Sequence, residues 1–302
     1  MKKILDLYLL GQKGYEVLQV ASHFLNSFTL NVIVGEDPNV AEDFSKNIRA
    51  LCDQYDIRYI ERNDLHSYSS KADIAFAIGW RWLIKDADNL IVFHDSILPR
   101  YRGFNPLVTA LINGDDELGV TAIFATEDFD KGDIIDCETF TVTYPCTIEN
   151  AIELMSRSYG ALFGRIAKNI LNSEELNRRP QKEEQATYSI WRDDKDYFID
   201  WTQPTEKVLR FIDAVGFPYS GAASYVNGTL CRILKAVPYG EIFVENNSPG
   251  KVLSFTEEEQ PVVLTGTGAI VITDANFEDG KDLSQLSRLR TRFSREKSFV
   301  LR

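Results

Sequence analysis

Ile4-Leu5-Asp6-Leu7-Tyr8-Leu9-Leu10 is an apolar run interrupted once, at Asp6, and closed by Gly11. It falls far short of the roughly 18 apolar residues that span a bilayer, and no other stretch reaches that length. With Lys2 and Lys3 ahead of it the run imitates a secretory leader. Asp6 breaks the apolar centre, however, and no small-residue cleavage site follows, so a first buried strand in a soluble protein is expected. A helical pattern through Tyr15, Val17, Leu18 and Phe24 comes next, then a second strand from Leu30 to Val34 ended by Gly35. A charged helix from about Val40 to Tyr55 leads to further short buried strands at Ile57 to Ile60, Ile74 to Ile78 and Leu90 to Phe93. Such alternation predicts an α/β fold, a Rossmann-like and mostly parallel sheet with helices on both faces. In folds of that kind ligands bind at the carboxyl ends of the strands. Gly11-Gln12-Lys13-Gly14 lies at one such end, but it lacks the spacing that lets backbone amides cradle a phosphate and reads as a plain strand-to-helix turn.

Thr147 is a suitable N-cap for a long helix. Ile148, Ile152, Met155, Tyr159, Leu162, Ile166 and Ile170 keep helical spacing on one buried face, and Met155 and Tyr159 read as core. The polar stretch Asn177 to Gln185, containing Pro180, is the best linker, which places a first domain over residues 1–185. Beyond it a helix through Thr205 to Val215 precedes short strand-like runs at Ala222 to Val226, Cys231 to Val237, Val252 to Phe255, Val262 to Leu264 and Ile270 to Ile272. Asn227-Gly228 is a strong hairpin signal, and residues 186–302 read as a small, mainly β domain, a partly open barrel.

The net charge of -12 repels phosphate backbones, so nucleic acid is a poor default partner. The four cysteines, Cys52, Cys137, Cys146 and Cys231, form neither a disulfide framework nor a zinc pattern; a reducing cytoplasm and no metal are expected.

Two segments carry chemistry. His94 follows a buried strand in Phe93-His94-Asp95-Ser96-Ile97-Leu98-Pro99-Arg100-Tyr101-Arg102-Gly103, and it is one of only three histidines, with His23 and His66. Asp130 lies in Glu127-Asp128-Phe129-Asp130-Lys131-Gly132-Asp133-Ile134-Ile135, after a strand from Val120 to Ala125. A carboxylate beside an imidazole orients the ring and favours its charged form, which suits proton transfer near neutrality. Alone, such a histidine is more often structural, and such a turn more often a solvated acidic one.

Taken with Arg100-Tyr101-Arg102-Gly103-x-x-Pro106, Ile112-Asn113-Gly114, Gly119-Val120-Thr121 and Asp130-x-Gly132-Asp133-Ile134-Ile135, the His94-x-Ser96-x-Leu98-Pro99 segment resembles the folate-dependent formyltransferases. That family includes glycinamide ribonucleotide transformylase, methionyl-tRNA formyltransferase and the nucleotide-sugar N-formyltransferases. Ala186-Thr187-Tyr188, Ile199-Asp200-Trp201 and Pro218-Tyr219-Ser220-Gly221-Ala222 extend the resemblance into the second domain, towards the tRNA and sugar enzymes. The resemblance implies transfer of a formyl group from N10-formyltetrahydrofolate to an amine, with His94 and Asp130 as catalytic residues. The family's usual oxyanion-binding asparagine, two residues before the histidine, is replaced here by Val92, and Asn105 is the nearby substitute. Trp80, Arg81, Trp82, Leu83 and Ile84 resemble the loop around the pterin, completed by Thr126 and the residues up to Asp130; two tryptophans in such a run also suit a plain core.

On the acceptor side, Arg100, Tyr101, Arg102, Gly103 and Phe104, together with Tyr219, would meet the substrate. Arginine forks fit phosphate oxygens, and an aromatic beside them stacks on a base. The expected acceptor is a dTDP- or UDP-linked amino-dideoxy sugar destined for surface polysaccharide. Methionyl-tRNA is the main alternative and a non-catalytic folate- or nucleotide-sugar-binding protein the second. A tRNA enzyme needs a positive surface, whereas residues 246–282 run acidic through Glu257-Glu258-Glu259. The basic residues Arg288, Arg290, Arg292 and Arg295 read as one face of a terminal helix. A homodimer through exposed strands of the second domain, or through a helix after Leu283, follows from family precedent.

Overall fold

The computed structural model describes residues 2–84, 89–286 and 290–297. The chain divides into two compact units: residues 1–107, 116–142 and 150–190 form the first, and residues 108–115, 143–149 and 191–302 the second.

In chain order the first half contains β1 (Lys3–Leu9), α1 (Gly11–Ser22), β2 (Phe28–Val34), α2 (Ser45–Gln54), β3 (Arg58–Glu61), β4 (Ile74–Ile78), β5 (Leu90–His94), β6 (Arg102–Gly103), α3 (Pro106–Asn113), β7 (Glu117–Phe124), β8 (Ile134–Thr141), α4 (Ile148–Leu171) and β9 (Tyr188–Ser189). Seven strands make the main sheet, in the order β3-β2-β1-β4-β5-β7-β8. The first five are parallel, as expected from their continuous apolar runs, and β7 and β8 add two antiparallel strands at the edge. Asp6 does not interrupt β1. Its buried carboxyl group accepts from Asn31 Nδ2 (2.8 Å), the Tyr68 hydroxyl (2.8 Å) and Ser70 Oγ (2.6 Å), so its oxygens are satisfied by three neutral donors. The helix expected from Val40 starts at Ser45, because the Asp43 carboxylate accepts from the backbone N–H groups of Asp37 and Ser45 (both 3.0 Å) and holds the preceding residues in a turn.

Strand alternation sorts the core. Phe76 and Phe93 point to the face covered by α4, where Phe163 and Tyr159 meet them at ring distances of 5.1 and 5.4 Å. Tyr8, Ile33 and Ala75 point to the other face, beneath Leu65 and Tyr68, Trp80 and Ile84. Among the described residues no helix is long and apolar enough to cross a membrane.

The second unit holds α5 (Thr205–Val215), β10 (Ala222–Val226), β11 (Thr229–Pro238), β12 (Val252–Phe255), β13 (Pro261–Thr265), β14 (Gly268–Phe277) and β15 (Phe293–Ser294). Its sheet runs β12-β13-β14-β11-β10-β15, antiparallel throughout. Asn227 and Gly228 both take positive φ (50° and 88°), the hairpin geometry that this dipeptide favours. The two sheet edges meet: Val252 N–H donates to Thr291 C=O (3.1 Å), Phe293 N–H to Gly250 C=O (2.7 Å), and Lys251 bridges Arg292. The sheet therefore curls into a small barrel with α5 packed on it.

Two sequence expectations are corrected here. The arginines near the carboxyl terminus do not form a helix face: Phe293, buried against Trp201 at 5.5 Å, pulls residues 292–294 into the sheet; Arg288 lies outside the described residues. After Leu283 only the short 3-10 turn Leu283–Gln285 is described. Asn177 to Gln185 is not a free linker either, because Arg179 bridges Ile134 and the side chains of Gln181 and Glu183 bind elsewhere in the first unit. The backbone changes unit between 190 and 191, beyond the pairing of β9 with β6.

Candidate active site

His94 is the last residue of β5 and is buried. Ile78 pairs with Phe93, so Gly79 at the end of β4 falls opposite His94, and the Trp80 loop starts beside it. Thr121, paired with His94 across β7, supports the turn that follows: its hydroxyl accepts from Leu98 N–H (3.1 Å) and donates to Ser96 C=O (2.6 Å). Ser96 Oγ closes the same turn on Arg100 C=O (2.6 Å). Two of the motifs read from the sequence are thus the scaffold of the histidine loop.

His94 Nε2 lies 2.8 Å from Tyr101 C=O, and Nδ1 lies 3.4 Å from Asp130 Oδ1. A carbonyl only accepts, so Nε2 carries a hydrogen. Nδ1 then faces the Asp130 carboxylate across an ion-pair distance, longer than a hydrogen bond. Asp130 is itself held in a left-handed conformation (φ 58°) by three contacts: Gly103 N–H donates to Oδ2 (2.8 Å), and Gln181 Nε2 donates to the C=O groups of Asp130 (2.8 Å) and Gly132 (2.9 Å).

The route by which Asp130 arrives is not the expected one. Because β7 is antiparallel to β5, Phe124 pairs with Ile91, about 10 Å before His94 along the strand at roughly 3.3 Å per residue. The β7–β8 turn starts at the far end of β5 and folds back over the sheet face to the imidazole. Gly132 makes the fold-back possible, since a Cβ there would sit 1.7 Å from Phe124 O.

On the opposite face from the imidazole, Asp95 accepts from Lys13 Nζ and from the hydroxyl of Tyr159 in α4, whose oxygen also lies 3.1 Å from Phe93 C=O. Burial alone would raise the Asp95 carboxyl, but the Lys13 ammonium, the Tyr159 hydroxyl and nearby His94 outweigh it and hold the group below the usual carboxylate range. Burial, then the charge of Asp95, pushes the Tyr159 phenol well up. The sequence reading passed over this trio: Lys13 stood in a rejected phosphate loop, and Tyr159 read as core.

The remaining predicted residues fall into distinct groups. Val92 packs on Leu98, Ile123 and Ile134, so the position of the usual asparagine is apolar. Asn105 is exposed with φ 50°. Trp80 and Ile84 pack on the Tyr8 cluster, Trp82 meets Trp80 edge to face at 4.9 Å, and Leu83 is exposed. Arg81 pairs with Asp37 and lies 5.5 Å from the Trp82 ring centroid. The Trp80 Nε1–H is buried with no acceptor among the described residues. Thr126 is exposed, its hydroxyl donating to Asp128 C=O (2.8 Å).

Arg100 is exposed over the Tyr101 ring (4.8 Å), and Phe104 is exposed. Tyr101 is buried, and its N–H donates to Thr187 Oγ1 (2.9 Å). Arg102 is corrected from phosphate ligand to anchor. It is 1% exposed, with Nε and Nη2 on Gln181 Oε1 (3.0 and 2.9 Å) and Nη1 and Nη2 on Glu183 (2.9 and 2.8 Å). Gly103 serves Asp130 through its backbone N–H, and its φ of 100°, with Ser189 O 2.4 Å from a would-be Cβ, excludes a side chain. Tyr219, half-buried, lies in the second unit, its N–H donating to Gly216 C=O (2.8 Å). Among the described residues no group of three or more His, Cys, Asp or Glu side chains is placed to hold a metal ion, and the four cysteines are unbridged.

Residues 78–157 match the family described as Formyl transferase, and residues 192–292 match Formyl transferase, C-terminal domain. The methionyl-tRNA formyltransferase of Brucella melitensis biotype 2 is 30% identical over 230 residues, 74% of this chain and 72% of that protein. That of Fusobacterium nucleatum subsp. nucleatum is 27% identical over 204 residues, 68% of this chain; the match spans 65% of the Fusobacterium protein, just under two thirds of its length. The N-formyltransferase of Helicobacter canadensis, solved with folinic acid and dTDP-3-aminofucose, shares the fold with a TM-score of 0.69 at 21% identity, covering 90% of this chain and 99% of that one.

Proposed function

This chain belongs to the formyl transferase family, and from that premise we propose that it transfers a formyl group from N10-formyltetrahydrofolate to the amino group of a dTDP- or UDP-linked amino-dideoxy sugar in a reducing cytoplasm. The observation that carries the reading is the His94–Asp130 contact. With Nε2 committed to Tyr101 C=O, Nδ1, beside Asp130 Oδ1, is the ring atom assigned to collect the proton leaving the acceptor amine and to return it.

The folate supplies the formyl carbon when bound. The residues present fit such a group: the orphaned indole N–H of Trp80 is a donor in need of an acceptor, beside an edge built of Trp82, Leu83 and Ile84. Arg81, Thr126 and the backbone up to Asp130 complete that proposed pocket. Asn105 is the side-chain amide assigned to the developing oxyanion in place of Val92. Such a preorganised donor contributes about 2.7–4 kcal/mol. Exposed Arg100 and Phe104 are assigned to the diphosphate and its attached ring system.

The net charge of -12 supports a compact anionic acceptor over a polyanion. Methionyl-tRNA remains the second reading, favoured by the names of the two curated relatives. The test is product mass analysis with N10-formyltetrahydrofolate and a panel of dTDP- and UDP-linked amino sugars against initiator methionyl-tRNA. The expected result is a formyl mass increment on a sugar, lost by about 10²-fold or more in His94→Ala and Asp130→Asn and reduced in Asn105→Ala. Formylation of the tRNA alone selects the second reading. No transfer to any amine defeats both.

A further inference from the structure

We infer that Lys13 is a positioning residue of the active site: its ammonium, through Asp95 and Tyr159, fixes the strand-end segment that presents the His94 imidazole. Neighbouring residues at a strand end point to opposite faces. His94 turns towards Asp130, and Asp95 turns towards α1 and α4. The peptide between them is therefore gripped from both sides. On one side Tyr101 C=O holds the ring at Nε2. On the other, the single hydroxyl hydrogen of Tyr159 lies between Asp95 and Phe93 C=O, and Lys13 closes the remaining Asp95 oxygen. Lys13 also lies 5.6 Å from the centre of the Tyr159 ring, so one cation serves a carboxylate and an aromatic face together. Its side chain reaches this position over Gly79, where a Cβ would come within 4.0 Å of Lys13 Cδ and 2.8 Å of Leu10 O. Both ends of the ion pair are largely screened from solvent, at 16% and 21% exposure.

Charge balance gives Lys13 a second part. The carboxylates near the imidazole are Asp130, which faces it from the β7–β8 turn, and Asp95, the next residue of the chain, which points away from it towards Lys13 and Tyr159. Arg102, in the loop that follows, is occupied by Glu183 and Gln181. Lys13 thus neutralises one of the two carboxylates and leaves the other to act on the imidazole alone. This role rests on His94 being the imidazole that moves protons in the proposed transfer.

The experiment compares Lys13→Met, Lys13→Arg and Tyr159→Phe in the full-length protein, with urea unfolding to establish the folded fraction. Formyl transfer is measured with whichever acceptor the panel identifies. Expected for Lys13→Met is a fall in kcat of about 10²-fold with acceptor KM changed less than threefold. Lys13→Arg recovers to within about fivefold of the native rate, and Tyr159→Phe lies between. Independently of any acceptor, the ring 1H–15N signals of His94 move or broaden in Lys13→Met at constant pH while those of His23 and His66 do not. With three histidines in the chain, His94→Ala completes the assignment. If no acceptor is found, the ring spectrum still decides the placement of Lys13. Unchanged His94 signals, or a kcat loss that matches the loss of folded protein, overturn the inference.

Discussion

Gly132→Ala is a small substitution with a large expected effect on rate. An added Cβ would lie 1.7 Å from Phe124 O, with the Phe124 carbonyl carbon at 2.9 Å. Both are backbone atoms of the adjacent strand, so no side chain can rotate out of the way. Restoring even the tightest tolerable contact, 3.0 Å, moves the turn away from β7 by about 1.3 Å, and an ordinary one at 3.4 Å by about 1.7 Å. Gly132 is two residues from Asp130, and the Gln181 amide ties the carbonyls of both residues together, so the displacement passes to the carboxylate. The His94–Asp130 contact is an ion pair at 3.4 Å, already longer than a hydrogen bond, and another ångström separates the pair. A misplacement of about 1 Å costs on the order of 10² in rate, whereas overpacking of this kind costs about 1–3 kcal/mol of stability. The variant should therefore remain folded at 25 °C, with a urea midpoint modestly lowered and kcat down by about 10²-fold. A Gly132→Ala protein with kcat within threefold of native would refute the link between the turn and the imidazole.

Arg102→Met tests the anchor against the phosphate ligand. Loss of the two bonds to Gln181 lowers stability by about 2 kcal/mol in urea unfolding, with acceptor KM unchanged in the protein that remains folded; full stability with a tenfold weaker acceptor would return Arg102 to the substrate. Asp213, in α5, gives a pH dependence. Burial lifts its carboxyl from 3.8 to about 6. A raised acid stabilises the fold fully below its unfolded value and loses that contribution as pH climbs from about 4 through 6. Above pH 6 the buried charge costs about 3 kcal/mol at roughly 1.36 kcal/mol per pH unit, less whatever partial solvation returns. Asp213→Asn should accordingly be the more stable protein at pH 8 and lose that advantage by pH 4. Parallel stability curves for the two proteins across that range would show that the site is wetter than it looks.

Elements bounded by sharp signals were legible to the residue. Thr205–Val215 and Ala222–Val226 appear where the helical spacing and the Asn227-Gly228 turn put them. Direction was not. Glu117–Phe124 carries the same kind of apolar run as the parallel strands, and nothing local in it says that it runs the other way. For that reason the sequence brought His94 and Asp130 together by neighbouring strand ends, whereas the chain does so with a turn that doubles back. Arg102 was misread for a related cause. Burial of a guanidinium depends on its partners, and these stand at 181 and 183, in a polar stretch that looks like a linker until its side chains are seen on Arg102 and Asp130.

The same logic separates what a motif can and cannot disclose. Ser96, Thr121 and Gly103 were picked out because their spacing is distinctive, yet each serves the backbone that aims a neighbour: Thr121 holds Ser96 and Leu98, and Gly103 holds Asp130. Lys13, Asp95 and Tyr159 have no such spacing, since they come from α1, β5 and α4 and meet only when the sheet is formed. A site assembled from a short loop and three distant elements is legible in the loop and silent in the rest. The imidazole could be named from one stretch of eleven residues, but the groups that orient it and balance its charge could not, because nothing but the order of strands brings them there.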